Sequence, residues 1–356
     1  MLKRAYKVFK YLHDGIPYRI LNGHAFLPLK IIIEVTYKCN LSCRMCYLIE
    51  ERKNKELKEK VTEMTTKEIK NIIDQVGKKL PIITYTGGEP LIRKDIIEII
   101  KYTKKKNICG LLTNGILLTE DISKKLVDTK IDSITISLDG PEKIHDTIRN
   151  HKGAFTKTIH GIMNIQKYKK GLETNIPKVH LVTVMMPSNI KHLHKIVEIA
   201  SKLNVDSLTF QALEVCFERS GLNMNDNLNL YAKNCINNIQ KIDPKLIDKE
   251  ITKSEKKAKK MNVNLRYIPF RKKDMIDYYS GGVSIEKYIC KLPWSLMYIS
   301  PYGDVYPCFN YKIGNIKYDR INDIWNNKKY HKFRKILKRK KIFPSCIGCC
   351  NITYRN

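Results

Sequence analysis

Cys39-Asn40-Leu41-Ser42-Cys43-Arg44-Met45-Cys46 sets three thiols within eight residues, directly after the short β-branched run Leu29–Thr36. That run has the composition of a buried parallel strand, which puts the octapeptide in the loop at a strand's carboxyl end. Three thiolates in a loop can wrap one face of a metal cluster, and cysteine thiolates are the usual ligands of iron–sulfur centres. The uneven C-x3-C-x2-C spacing does not match the paired knuckles of a structural zinc site. With three cysteines, one iron of a four-iron cluster would lack a protein ligand and stay open to a substrate or cofactor. Three cysteines that merely pack fit poorly in a polar segment carrying Lys38, Asn40 and Arg44.

Downstream the same rhythm repeats. Strand-like runs stand at Pro81–Thr86, Ile108–Thr113, Ile131–Leu138, Val179–Met186 and Val205–Gln211. Helical stretches separate them, near Thr66–Lys79, Lys94–Lys105, Thr119–Asp128, Ala154–Tyr168 and Ile190–Leu203. Thr65 or Thr66 before Glu68, and Thr119 before Ile122, suit helix caps. Such alternation predicts an α/β chain: a parallel sheet with covering helices, open or curled into a partial barrel. Function then sits on loops at the carboxyl ends of the strands.

The flanks read differently. Met1–Tyr11 is a basic amphipathic helix with Leu2, Tyr6, Phe9 and Leu12 on one face. It reads as docked on the body, with a membrane-surface anchor as the alternative. Residues 214–285 are polar and Asn- and Lys-rich, a connector with helices at Asn227–Ile239 and Ser254–Met261. The C-terminal part holds short strands near Trp294–Ser300 and Asp304–Phe309, a basic helix and a cysteine-rich tail. The divisions are thus 1–28, a lead-in; 29–213, the core; 214–285, the connector; and 286–356, the cysteine-rich end.

Across 356 residues, 43% hydrophobic content excludes a disordered chain. No apolar run reaches the roughly 20 residues needed to span a bilayer, and the N-terminus lacks the marks of a signal peptide. A cytoplasmic location is expected, where 11 cysteines imply metal, catalysis or burial in place of disulfides. The net charge of +31 comes from 66 Lys and Arg against 35 Asp and Glu. The lysines are scattered through Glu51–Lys60, Lys101–Lys106, Lys249–Lys260 and Lys328–Lys341. They read as solvated faces ahead of a nucleic-acid site, with RNA, DNA or anionic lipid as partners to test.

The triplet resembles the hallmark of the radical S-adenosylmethionine (radical SAM) superfamily, and the resemblance extends beyond it. Gly87-Gly88-Glu89-Pro90 follows the second strand and matches the family's GGEP motif. Glycines there permit a tight turn and a close approach, and the resemblance implies that Gly87, Gly88 and Glu89 hold the SAM amino group. Thr113-Asn114-Gly115 and Ser137-Leu138-Asp139-Gly140 end the next two strands, and His145-Asp146-Thr147-Ile148-Arg149 follows. The resemblance implies SAM contacts from Thr113 and Ser137, a carboxylate contact from Arg149, and adenine packing by Met45. Otherwise Thr113 and Asn114 are turn formers and Arg149 a surface residue. The implied fold is a partial (β/α)6 TIM-like barrel.

In the tail, Cys290, Cys308, Cys346 and Cys349 accompany Ile313-Gly314-Asn315-Ile316 and Ile324-Trp325-Asn326. This resembles the SPASM or twitch extension of the same superfamily and implies one auxiliary [4Fe–4S] cluster on those four cysteines. Cys350 is then spare, or an alternative to Cys349. Four thiolates suit zinc equally well by count. Cys109, Cys216 and Cys235 read as buried. By resemblance, a [4Fe–4S] cluster on Cys39, Cys43 and Cys46 binds SAM and cleaves it to a 5′-deoxyadenosyl radical, with an electron donor such as flavodoxin or ferredoxin. The substrate class is a peptide or small metabolite. Gln211, Glu214, Asp274, Asp277 and Tyr279 are the candidate polar groups on its side. The alternatives are an RNA-modifying radical SAM enzyme and a zinc-binding structural or nucleic-acid-binding protein.

Overall fold

In the computed structural model, which describes residues 2–46, 48–49, 62–214, 241–308 and 311–355, the apolar runs become strands that pair in the order they occur. A helix α1 (Leu2–Ile20) leads into β1 (Lys30–Thr36), α2 (Thr66–Gln75), β2 (Lys79–Gly87), α3 (Ile96–Lys104) and β3 (Asn107–Thr113). There follow α4 (Glu120–Asp128), β4 (Ser133–Ser137), α5 (Glu142–Arg149), α6 (Ala154–Gly171), β5 (Lys178–Val184), α7 (Leu193–Lys202) and β6 (Ser207–Gln211). All neighbouring pairs from β1 to β6 are parallel.

Right-handed crossovers between strands in unbroken sequence order keep every helix on one face of the sheet. On that face Ile31, Ile33, Ile83, Tyr85, Leu111, Ile134, Ile136, Val179, Leu181 and Phe210 are wholly buried. Alternation sends their neighbours to the other face, where Ile108 keeps 45% and Leu112 38% of its surface exposed. Ser133, Thr135 and Ser137 are half-buried there. The sheet is a partial (β/α)6 barrel with an open inner face, unlike the side-chain-filled interior of a closed eight-stranded barrel.

Both expected caps form. The Thr65 side chain accepts from Glu68 N while Glu68 reaches back to the Thr65 backbone, and Thr119 accepts from Ile122 N. Two elements differ from expectation. The first helix runs to Ile20, through Gly15 and Pro17, where the sequence predicts an end at Tyr11. Glu142–Arg149 forms a helix of its own, stopped by Asn150 in the left-handed region at φ 52°.

The sheet continues past both edges of the core. Beyond α8 (Pro244–Lys260), β7 (Leu265–Ile268) joins β6 in parallel, and α9 (Lys272–Ser280) follows. β8 (Tyr288–Ile289) pairs with β12 (Thr353–Tyr354) as a separate ribbon. At the opposite edge β9 (Leu296–Ile299) runs parallel to β1, with Lys30 opposite Leu296 and Ile33 opposite Ile299. β10 (Asp304–Tyr306) and β11 (Gly314–Asn315) extend it antiparallel. The C-terminal strands thus satisfy the β1 edge and make a ten-stranded sheet. Of the connector, α8 covers and lengthens the helix expected at Ser254–Met261. The helix expected at Asn227–Ile239, together with Cys216, Cys235 and the whole Glu51–Lys60 run, lies outside the described residues.

Two last helices, α10 (Ile321–Trp325) and α11 (Lys328–Lys340), bind this end to the lead-in. Arg334 is wholly buried between the Trp325 and Tyr330 rings, its guanidinium carbon 4.4 and 4.1 Å from their centroids. It donates to Pro293 O, Gly23 O and Asn326 Oδ1 at 2.7, 3.2 and 2.8 Å. Arg334→Met keeps the bulk but strands those acceptors, and should lower stability by about 3 kcal/mol in a urea titration. A loss below about 1 kcal/mol contradicts this role for the guanidinium.

Candidate active site

The cysteine loop leaves the end of β1 and is tied down from three sides. The first tie is backbone. Gly88 N donates to Thr36 O at 2.8 Å and Glu89 N to Lys38 O at 2.9 Å. A Cβ on Gly88 would stand 2.2 Å from Lys38 O, and one on Gly87, at φ +133°, 2.2 Å from Thr36 O. These glycines are therefore required by the close approach of the cysteine loop itself, whatever the ligand.

The second tie comes from the end of β3. Asn114 Nδ2 donates to Asn40 Oδ1, inside the triplet, at 2.8 Å. Glu89 braces this strand end: its wholly buried carboxylate accepts from Leu91 N, Thr113 Oγ1 and Asn114 N at 3.0, 2.8 and 2.8 Å. Burial raises its pKa to about 6 against the downward pull of those hydrogen bonds. Glu89, expected at the SAM amino group, and Thr113, expected as a further SAM contact, are thus bonded to each other.

The third tie is the end of α5. Arg44 N donates to Ile148 O at 3.1 Å, and Asn150 Nδ2 to Ser42 Oγ at 3.0 Å. Arg149 Nη1 lies 3.6 Å from Cys43 Sγ, while Nη2 pairs with Asp139 Oδ2 at 2.6 Å. Burial opposes the Arg149 charge, but Asp139 and the Cys43 sulfur outweigh it and raise its pKa. Asp139 is in turn a hub: its N–H donates to His145 Nδ1 at 3.1 Å, and its Oδ1 accepts from Val184 N at 3.1 Å. Burial lowers the His145 pKa to about 3, so the ring is neutral and can accept. Arg149 Nε is buried with no acceptor among the described residues.

Beside the loop, Met45 and Ile144 pack with Ile148, Met186, Leu213 and Val184 in a small apolar cluster. Ser137 is half-buried at the end of β4. The predicted site residues Gly87, Gly88, Glu89, Thr113, Ser137, Arg149 and Met45 therefore stand at carboxyl ends of strands or on the loops and α5 that follow. Asp139, His145 and Asn114 carry the scaffold between them. Their motifs signalled the location, but their partners needed the fold.

The tail gathers a second set. Cys346 is half-buried, and desolvation of its thiol followed by the nearness of Cys290, Cys349 and Cys308 holds its pKa well above the usual thiol range. Four thiols so placed with no disulfide among them fit a cationic centre, because thiolates repel one another unless positive charge lies between them. Among the described residues no three Cys, His, Asp or Glu side chains close around a single metal ion. Asn351 Nδ2 donates to Tyr298 OH at 3.1 Å and lies 3.3 Å from Cys350 Sγ. A Cβ on Gly348 would be 2.6 Å from Tyr278 OH and 3.2 Å from Leu213 O. The tail therefore spans from β9 to the segment after β6. There Glu214, just past β6, turns its carboxyl to Cys349; burial, then Cys349, holds it well above the usual carboxylate range. Cys109 is wholly buried. Asp274 and Asp277 face Lys287 at 3.0 and 3.9 Å, and Tyr279 OH donates to Met185 O. These three therefore have partners within the fold.

Residues 33–200 match the Radical SAM superfamily and residues 290–350 the SPASM iron–sulfur cluster-binding domain. With the triplet, the strand-end ties and the tail thiols, the chain belongs to the radical SAM superfamily and carries a SPASM domain at its C-terminal end. These domains imply SAM and [4Fe–4S] clusters as cofactors. The chain is 30% identical over 204 residues to Fe-coproporphyrin III synthase of Methanosarcina barkeri, a match covering 56% of this chain but only 47% of that protein. It is 23% identical over 344 residues to the tungsten-containing aldehyde ferredoxin oxidoreductase cofactor-modifying protein of Pyrococcus furiosus, covering 90% and 86%. Streptococcus suis SuiB bound to precursor peptide SuiA shares the fold, with a TM-score of 0.63 and 15% identity over 98% of this chain and 80% of that one.

Two outcomes check the scaffold. Gly88→Ala should cost about 2–3 kcal/mol and reduce iron uptake at the triplet, because the cysteine loop must retreat; unchanged iron and urea midpoint contradict the clamp. Because the folded Glu89 pKa of about 6 lies above the ordinary 4.5, its protonation favours the fold below pH 4.5. That contribution, about 2 kcal/mol, is lost as pH rises to about 6. Stability of the cluster-free protein relative to Glu89→Gln should fall across this window, and a flat difference contradicts the assignment.

Proposed function

We propose that the chain cleaves SAM reductively at a [4Fe–4S] cluster on Cys39, Cys43 and Cys46. It then oxidises or cross-links a peptide or small-metabolite substrate, with help from one auxiliary [4Fe–4S] cluster on Cys290, Cys308, Cys346 and Cys349. The observation that carries this reading is the Arg149 guanidinium, buried beside Cys43 with Nε lacking an acceptor among the described residues. A ligand carboxylate at the triplet would use that donor. When bound, the cluster supplies the electron that splits the SAM sulfonium into methionine and a 5′-deoxyadenosyl radical.

The chain's residues then have separable tasks. Glu89 and Asn114 fix the loop that Gly87 and Gly88 let approach, and the SAM amino group would sit beside this segment. Met45, Ile148, Met186 and Leu213 offer an apolar wall to adenine. Ser137 and Thr113 border the ribose and methionine side. The open inner face, with Ile108 and Leu112 exposed, receives the substrate, and Gln211 and Glu214 stand at its rim. An electron donor such as flavodoxin or ferredoxin reduces the clusters. A peptide substrate is favoured by the likeness to SuiB with its precursor peptide.

Cys43→Ala should abolish reductant-dependent 5′-deoxyadenosine formation from SAM, measured by chromatography; any retained turnover overturns the assignment. Cys308→Ala should lose about four irons per chain yet keep SAM cleavage. Iron equal to wild type would mean that the auxiliary ligand set is wrong.

A further inference from the structure

One side of the molecule combines an uncovered apolar ridge with an unrelieved basic surface. On α1, Phe9, Leu12, Ile16 and Ile20 recur at helical spacing and are 44, 48, 39 and 71% exposed. The lead-in continues the ridge: Phe26 and Leu27 are 44 and 62% exposed, and the His13 ring lies 5.8 Å from that of Phe9 and 5.5 Å from that of Phe26. Isolated exposed apolar side chains are ordinary, but a run of six along one helix and its lead-in marks an interaction surface.

α11 lies against the end of this ridge. Lys338 Nζ donates to Arg19 O at 2.7 Å, and the His24 and His331 rings are 3.7 Å apart. A shallow groove there is lined by Asn22, Lys335, Ile336, Lys338, Arg339 and Lys341. Nine of the fourteen residues Lys328–Lys341 are Lys or Arg, and no Asp or Glu follows Asp323. Before Glu34 the sole acid is Asp14, which is buried.

We propose that the α1–α11 face docks on an anionic lipid bilayer, with Leu12, Ile16, Ile20 and Leu27 entering the headgroup boundary and the α11 lysines meeting the lipid phosphates. Apolar ridge and cationic flank are together the two requirements of interfacial binding. Nucleic acid would use the charge and could stack only on Phe9 and Phe26, leaving the aliphatic run Leu12, Ile16, Ile20 and Leu27 without a role. A second copy of the chain, docked ridge to ridge, would bring two basic helices together. Among the described residues no helix is long and apolar enough to cross a membrane, so the contact is peripheral.

Co-sedimentation of the full chain should show binding to phosphatidylglycerol–phosphatidylcholine vesicles and little to phosphatidylcholine alone. Lys335→Gln with Arg339→Gln should weaken partition about 25-fold, at about fivefold per charge. Ile16→Asn with Ile20→Asn, which leaves the charge unchanged, should weaken it at least about tenfold. Lys157→Gln with Lys170→Gln, the same charge loss on α6, should change little. These positions are exposed, so urea midpoints should match wild type and separate lost binding from lost folding. Equal binding to both vesicle types overturns the proposal, as does an isoleucine pair without effect. Displacement from vesicles by polyuridylate bound equally well by the isoleucine variant assigns the face to nucleic acid, and a dimer abolished by that variant assigns it to a second copy; either overturns the proposal.

Discussion

A buried guanidinium must be paired, and Arg149 is paired with Asp139 at 2.6 Å while it reaches Cys43 at 3.6 Å. That one arrangement connects the end of β4, the end of α5 and the cysteine loop. Removing either partner would leave an uncompensated buried charge, at a cost of about 3–5 kcal/mol. The geometry of the site follows from it. The neutral His145 ring keeps Asp139 in place from behind, and Val184 N holds it from β5. The loop is then closed from the other side by the backbone of Gly88 and Glu89 and by Asn114. The cysteine loop has little regular structure of its own, so its shape is borrowed from the strand ends and the α5 end around it.

Much of this was legible in the sequence because the signals are local. Strand-length β-branched runs and the caps at Thr65 and Thr119 depend on neighbouring residues, and they appear where expected. The motifs fell at carboxyl ends of strands because parallel sheets place their loops there. What sequence alone could not supply was pairing across distance. Gly87 and Gly88 looked like glycines cleared for a ligand; in the structure they are cleared for the carbonyls of Thr36, Tyr37 and Lys38. Glu89 looked like a free acceptor and is instead bonded to Leu91, Thr113 and Asn114. The partnership of β9 with β1 was likewise invisible, since edge pairing depends on which strand edge remains open. The first helix outran its expected end because Gly15 and Pro17 are tolerated within it.

The positive charge and the cysteines belong to different surfaces. The two thiol sets lie on the core loops and on a tail that spans from β9 to the segment after β6. The most concentrated basic run lies instead on α11, whose Arg334 is turned inward between Trp325 and Tyr330 while its lysines face out. Packing at Arg334 therefore fixes where that charge is displayed, beside the ridge of α1. The catalytic reading needs none of this run, which contributes nine of the 66 Lys and Arg behind the net charge of +31.

On the proposed reading the two thiol sets each hold a cluster, one open to SAM and one closed. Iron, sulfide and zinc content after anaerobic reconstitution tests this most directly. About eight irons and eight sulfides per chain without zinc is the predicted result. About four irons with one zinc would contradict the auxiliary cluster, and no iron at all would contradict the whole account.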